Sequence, residues 1–114
     1  MSNPQKQKGD RWEREVVKYL QSRLGGLRLG RLKAGAERDE GDIGGDPLAV
    51  YECRDRRQMD FSAAISSAYE HAACAGKSLS IVVYKRPGLP VEAAYVVMDL
   101  EDYAELRALA LDAP

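Results

Sequence analysis

The segment from Gly41 to Arg54 constrains the fold of this chain most, because it joins turn residues, an apolar run and two acids. Asp42 opens the segment, two glycines and a proline interrupt it, and the apolar run that follows carries Glu52. This pattern predicts a β-hairpin with two carboxylates. Side chains alternate along a strand, so Glu52 and Arg54 are expected on one face. Two carboxylates beside a cation could hold a divalent metal ion, an arrangement that suits phosphodiester chemistry.

The same residues have a purely structural interpretation. Asp42 would then be a turn residue, and Glu52 with Arg54 would form an exposed cross-strand ion pair, which contributes little to stability. The segment alone leaves both interpretations open.

The composition indicates one globular domain. The chain has 114 residues, of which 45% are hydrophobic and 31% charged, values that are ordinary for such a domain. We expect the domain to span residues 1–114, with residues 1–8 as a flexible tail. No apolar run reaches the length of a membrane span and the polar start does not resemble a signal peptide, so we expect a cytoplasmic protein without a membrane partner. Cys53 and Cys74 are expected to be reduced, buried thiols.

The charges are unevenly distributed, although the net charge is only −1. Cations bracket the two acids of the hairpin, whereas the acidic excess lies near the C-terminus. The bracketing cations are Arg28, Arg31, Lys33, Arg38, Arg54, Arg56 and Arg57. These cations could create a positive electrostatic field around the acidic pair, or they could be ordinary solvated side chains.

Hydrophobic periodicity predicts an α/β fold with a mixed central sheet of about five strands flanked by helices, in the order α-β-β-β-α-β-β-α. The predicted elements are a helix from Asp10 to Leu24, strands from Leu27 to Lys33, around Asp42 and around Glu52, a helix from Phe61 to Ala75, strands from Ser78 to Tyr84 and from Ala93 to Met98, and a last helix capped by Asp99. Glu13 is expected in the first turn of the first helix, on its inward stripe. His71 is interpreted as structural or exposed. The last helix is expected to have Tyr103, Leu106 and Leu109 or Ala110 on its apolar side.

This order of elements and acids resembles the PD-(D/E)XK nuclease superfamily, with its restriction-endonuclease-like fold. Within it the chain looks most like the Holliday-junction resolvases of archaea and the related proteins of phages. The matching segments are Lys8 to Arg14 in the first helix, Gly41-Asp42-Ile43 at the second strand, Tyr51-Glu52-Cys53-Arg54 at the third and Val83 to Gly88 after the fourth.

The resemblance implies a site and a function. Asp42, Glu52 and the backbone carbonyl of Cys53 would bind magnesium, or manganese in its place, with Glu13 completing the catalytic site and Arg54 as its cation. The implied function is a magnesium-dependent endonuclease that hydrolyses branched DNA, such as a four-way junction, as a homodimer. The residues expected to hold DNA phosphates are Arg14, Arg28, Arg31, Lys33, Arg38, Arg56 and Arg57.

The chain departs from the family pattern at two places. The cation two residues after the second acid is usually lysine, whereas here it is Arg54, which is always protonated and cannot act as a general base. The resolvases also often carry a catalytic serine where this chain has Ala34-Gly35-Ala36. Two alternatives follow: a DNA-binding protein of the same fold with weak or lost cleavage, and a nuclease of the same fold that acts on another DNA structure.

Overall fold

The computed structural model describes residues 3–32 and 41–113. Its elements are α1 (Pro4–Arg23), β1 (Gly30–Arg31), β2 (Ile43–Gly44), β3 (Ala49–Arg54), α2 (Phe61–Ala75), β4 (Leu79–Tyr84), a short 3-10 turn (Val91–Ala93), β5 (Tyr95–Val97) and α3 (Leu100–Asp112). Two predicted DNA contacts, Lys33 and Arg38, and the segment Ala34-Gly35-Ala36 lie outside the described residues. No helix in the described part of the chain is long and apolar enough to cross a membrane.

The five strands form one mixed sheet in the order β1-β2-β3-β4-β5. β1, β2 and β3 are antiparallel neighbours, β4 runs parallel to β3 through the crossover helix α2, and β5 is antiparallel to β4. The predicted α/β class and mixed five-stranded sheet are therefore confirmed.

Helices cover both faces of the central strands. On one face Trp12 of α1 packs with Tyr51 and Cys53 of β3. On the other face Ala68 of α2 packs with Val82 of β4. Because both faces are covered, β3 and β4 are apolar along most of their length, as is usual for parallel strands.

Helix α1 begins earlier than predicted. Asn3 caps it, since its side-chain oxygen accepts hydrogen bonds from the backbone N–H groups of Gln5 and Lys6. Pro4 occupies the first helical position, where its missing N–H has no cost. Residues 4–8, predicted as part of a tail, thus belong to the helix. Glu13 consequently lies in the middle of α1, and its predicted place in the first turn is wrong.

Helix α2 has the predicted bounds, because both of its ends carry strong signals. The Asp60 side chain accepts a hydrogen bond from the Ala63 N–H at 3.0 Å, and Gly76 ends the helix in the left-handed conformation. These two ends determine which residues of α2 face the sheet.

Helix α3 is anchored only through its first turn. Asp99 caps it as predicted, and the buried Asp102 carboxylate accepts hydrogen bonds from the N–H and hydroxyl groups of Ser80. Every residue from 103 to 113 is exposed. The predicted apolar side, with Tyr103 and Leu106, is therefore present but not buried within the described chain. Periodicity reveals an apolar face, whereas its burial requires a neighbouring element.

Replacing Gly45 by alanine should destabilise the fold strongly. Gly45 has a φ of +106°, and an added Cβ would overlap with the carbonyl oxygen of Arg28. We expect Gly45→Ala to lower the free energy of unfolding by about 3 kcal/mol or more, measured by urea denaturation. Gly30→Ala is the matched control, because a Cβ there meets no atom within 4 Å. A Gly45→Ala protein as stable as Gly30→Ala would contradict this expectation.

Candidate active site

Three oxygen atoms predicted as metal ligands converge on one nitrogen of Arg54. The Nη1 atom of Arg54 lies 3.5 Å from Asp42 Oδ2, 3.2 Å from Glu52 Oε2 and 3.2 Å from the carbonyl oxygen of Cys53. The alternation of β3 places Glu52 and Arg54 on one face, as the sequence predicts. Asp42 directly precedes β2, and its carboxylate lies beside these two side chains.

Glu52 is buried, with only 1% of its side chain exposed. It lies on the α2 side of the sheet, and its second oxygen, Oε1, is paired with Nδ1 of His71. A carboxylate at such a position is costly unless polar or charged partners satisfy it, and Arg54 and His71 are those partners. The interpretation of Glu52 and Arg54 as an exposed surface ion pair is therefore wrong.

The role of His71 was not predicted, although a helical pattern pointed to it. Ala64, Ala68, His71 and Ala75 recur at intervals of three and four residues along α2, so His71 lies on the stripe that faces the sheet. The histidine is the one polar side chain in that stripe. Only the register of α2 against β3 shows that Glu52 is its partner.

Asp42 links the beginning of β2 to β3. Its Oδ2 atom accepts a hydrogen bond of 2.7 Å from the Cys53 N–H, and its own N–H donates to the carbonyl oxygen of Tyr51 at 3.0 Å. Gly41 has a φ of +99°, and a Cβ added there would lie 3.7 Å from Oε1 of Glu52. Asp42 is thus fixed by both its main chain and its side chain, while 26% of the side chain stays exposed.

Glu13 lies at the edge of this cluster and is held by Arg31. The Nε atom of Arg31 donates to Glu13 Oε1 at 3.0 Å, and its Nη2 atom donates to Asp10 Oδ1 at 2.7 Å. Burial raises the pKa of Glu13; the hydrogen bond from Arg31 opposes this rise, and the negative charge of Asp42 adds to it. Burial and the charges of Asp42 and Glu13 likewise raise the pKa of Cys53. Glu13 and Asp42 therefore share one electrostatic environment.

The donor chemistry of the cluster suits magnesium. Carboxylate and carbonyl oxygens are the ligands that this hard cation prefers, and two side chains with one backbone carbonyl supply them here. Within residues 3–32 and 41–113, no group of three or more His, Cys, Asp or Glu side chains is arranged to hold a metal ion. The position where the three oxygens converge is taken by the positively charged Arg54.

An open cleft of about 780 Å³ adjoins the cluster through Arg54. Its lining includes the cationic side chains of Lys8, Arg56 and Arg57 beside Arg54, together with the polar Gln5 and Gln58. Arg54 belongs to both the cleft and the acidic cluster. Lys8 was missed as a candidate because its segment was interpreted as a tail.

The five predicted phosphate contacts that the structure describes divide into three groups. Arg56 and Arg57 line the cleft, whereas Arg31 is engaged by acids of α1. Arg14 and Arg28 are exposed but do not line the cleft. The remaining two, at positions 33 and 38, fall in the part of the chain that is not described.

An acid that the sequence did not single out, Asp55, lies directly after β3. Its carboxylate is 3.4 Å from Nζ of Lys8 and 4.0 Å from Nζ of Lys85. Lys85 also lies over the ring of Trp12, 5.6 Å from its centroid. These contacts fix the early turns of α1 beside the end of β3, which places Lys8 in the cleft.

No protein-family model, curated protein or solved structure matches the chain.

Removing the imidazole of His71 should destabilise the protein, because it leaves Oε1 of the buried Glu52 without this partner. We expect His71→Ala to lower the free energy of unfolding by about 1–3 kcal/mol, measured by urea denaturation. Glu70→Ala, the adjacent and exposed position on the same helix, controls for changes in helix propensity. Equal stabilities of the two variants would show that the pairing of His71 with Glu52 contributes nothing.

Proposed function

We propose that this protein is a magnesium-dependent endonuclease that hydrolyses phosphodiester bonds in branched DNA. The observation that carries the proposal is the convergence of Asp42 Oδ2, Glu52 Oε2 and the Cys53 carbonyl oxygen beside a cationic cleft. The topology supports it, since one helix, three antiparallel strands, a crossover helix and a parallel fourth strand form the layout that the resemblance to the PD-(D/E)XK nucleases implies. A restriction-endonuclease-like fold is part of this proposal.

Asp42, Glu52 and the carbonyl of Cys53 would hold the magnesium ion, with manganese as a substitute. When bound, the ion acts as a Lewis acid that activates water and neutralises charge on the phosphate. His71 fixes the orientation of Glu52, which keeps its other oxygen directed at the site. Arg54 stabilises negative charge as a hydrogen-bond donor, since it is always protonated and cannot accept a proton from water. Glu13, held by Arg31, contributes its charge from the edge.

The cleft is the proposed site for the DNA backbone. Lys8, Arg56 and Arg57 are cationic groups that contact phosphates without reading base sequence. Arg54 lines the same cleft and would contact a bound phosphate beside the acidic pair. The preference for a four-way junction or another branched duplex derives from the resemblance.

A homodimer that places two sites on opposing strands is also part of the proposal. Support comes from the exposed apolar face of α3, formed by Tyr103, Leu106 and Ala110. The other exposed large apolar side chains of α3 and of the outer strand β5 are Tyr95, Val96, Leu100, Leu109 and Leu111. Monomeric proteins rarely expose contiguous apolar patches of large area, and a helix of 13 residues is marginal in water without packing. A second copy is the proposed cover for this face.

A second candidate function is DNA binding with weak or lost cleavage. The position of Arg54 Nη1 favours it, because a cation already contacts both carboxylates. The third candidate is a nuclease of the same fold that acts on a nicked, flapped or linear duplex. The same assay distinguishes all three when several DNA shapes are compared.

We expect the protein to cut a synthetic four-way junction in magnesium but not in EDTA, and to cut the matched linear duplex less. Asp42→Asn should reduce cutting by about 100-fold or more, because it removes one charged ligand. Glu70→Gln, which changes an exposed carboxylate outside the site, should leave cutting unchanged. Gel electrophoresis of end-labelled DNA measures both binding and cutting.

Other outcomes of this assay favour the alternatives. Salt-sensitive binding without cutting indicates the second candidate, for which Arg54→Lys should then create or raise cleavage. Stronger cutting of a flap or nick indicates the third. Neither binding nor cutting of any DNA would exclude a nucleic-acid function.

The dimer is tested by light scattering coupled to size exclusion. We expect a mass near twice the 12.6 kDa of one chain. Tyr103→Arg should shift the protein towards the monomer, since it places a charge in the apolar face. Glu105→Arg introduces the same residue on the other side of α3 and should remain dimeric. A monomeric wild-type protein at every concentration would contradict the dimer.

A further inference from the structure

We propose that Arg54 is the resident cation of the Asp42 and Glu52 pair, so that its guanidinium and a divalent ion exclude each other from one position. The inference uses the proposed magnesium site to name the competing ion. Its test requires no DNA and is independent of cleavage.

The geometry places a positive nitrogen where an ion would otherwise lie. Arg54 Nη1 is within 3.5 Å of an oxygen of Asp42, an oxygen of Glu52 and the Cys53 carbonyl. All three atoms are acceptors, and the two N–H groups of Nη1 lie among them. Two carboxylates that share one nitrogen would repel each other if no cation lay between them.

The same position cannot hold both cations. Magnesium binds oxygen at about 2.0–2.1 Å, which is shorter than any of the three contacts made by the arginine nitrogen. An ion drawn to these oxygens would also lie next to a full positive charge in a partly buried site, where Coulomb repulsion is strong. Divalent binding therefore requires Arg54 to leave.

The cleft offers the Arg54 side chain a second position, and other contacts hold the two carboxylates in place. Its side chain is 19% exposed and lines the cleft beside Arg56 and Arg57, where a phosphate would accept its N–H donors. His71 holds the other oxygen of Glu52, and the Cys53 N–H holds Asp42. The oxygen set consequently persists when the guanidinium moves.

The test removes the charge of Arg54 while keeping its aliphatic stem. Arg54→Met, the wild type and the control Arg56→Met, at an exposed position of the same cleft, are compared without DNA. Titration calorimetry measures Mn²⁺ binding, and thermal unfolding is followed in EDTA and in Mg²⁺.

We expect Arg54→Met to bind Mn²⁺ about tenfold or more tightly than the wild type. In EDTA its unfolding temperature should fall by about 5 °C or more, because the two carboxylates lose the guanidinium that contacts both of them, and Mg²⁺ should restore it. For the wild type, the unfolding temperature in EDTA should equal that in Mg²⁺, and the same should hold for Arg56→Met. Equal Mn²⁺ affinity of Arg54→Met and the wild type would overturn the inference.

A double variant covers the case in which Arg54→Met does not fold. Asp42→Asn combined with Arg54→Met removes one negative and one positive charge together, so it should fold in EDTA and lose the tight Mn²⁺ site. A double variant that also fails to fold would show that Arg54 acts through packing, and would overturn the inference. Absence of DNA cleavage would bear on the proposed function alone.

Discussion

A buried carboxylate at the centre of the sheet is the constraint on which the remaining structure depends. Glu52 lies between β3 and α2, where an unpaired charge would cost several kcal/mol. One partner, Arg54, comes from the same strand face, and the other, His71, comes from the crossover helix. The small side chains of Ala64 and Ala68 bring that helix close to the sheet. The alternation of side chains in β3, the small residues of α2 and the geometry of the site thus all serve to pair the buried Glu52 carboxylate.

Ion pairs within the fold engage several charges of this chain, whose net charge is −1. Arg31 is engaged by Asp10 and Glu13, which ties α1 to β1. Asp55 draws Lys8 and Lys85 to the end of β3. The acids of α3 lie on a helix that projects from the body of the molecule, anchored through its first turn. The cleft lining, by contrast, contains four cations, Lys8, Arg54, Arg56 and Arg57, and one acid, Asp60.

The sequence predicts those elements whose signals are local. The bounds of α2 follow from an aspartate cap and a terminal glycine, and the shared face of Glu52 and Arg54 follows from the two-residue period of a strand. Features that depend on tertiary neighbours were not predictable. Proline and polar residues at the N-terminus are typical of a tail until Asn3 is seen to cap a helix. The partner of His71 depends on helix register, and the exposure of α3 depends on what covers it.

The order in which contacts form follows from the parallel pairing of β3 with β4. The Asp42 hairpin is local, but Glu52 lies opposite Val82 of β4, and Trp12 of α1 donates its indole N–H to the Val83 carbonyl. Contacts between such distant parts of a chain are slow to form. Until β4 has been synthesised, a chain emerging from the ribosome lacks both the strand that lies beside Glu52 and the carbonyl group that accepts the hydrogen bond of Trp12. A fragment that ends before β4 therefore cannot form the complete sheet around Glu52.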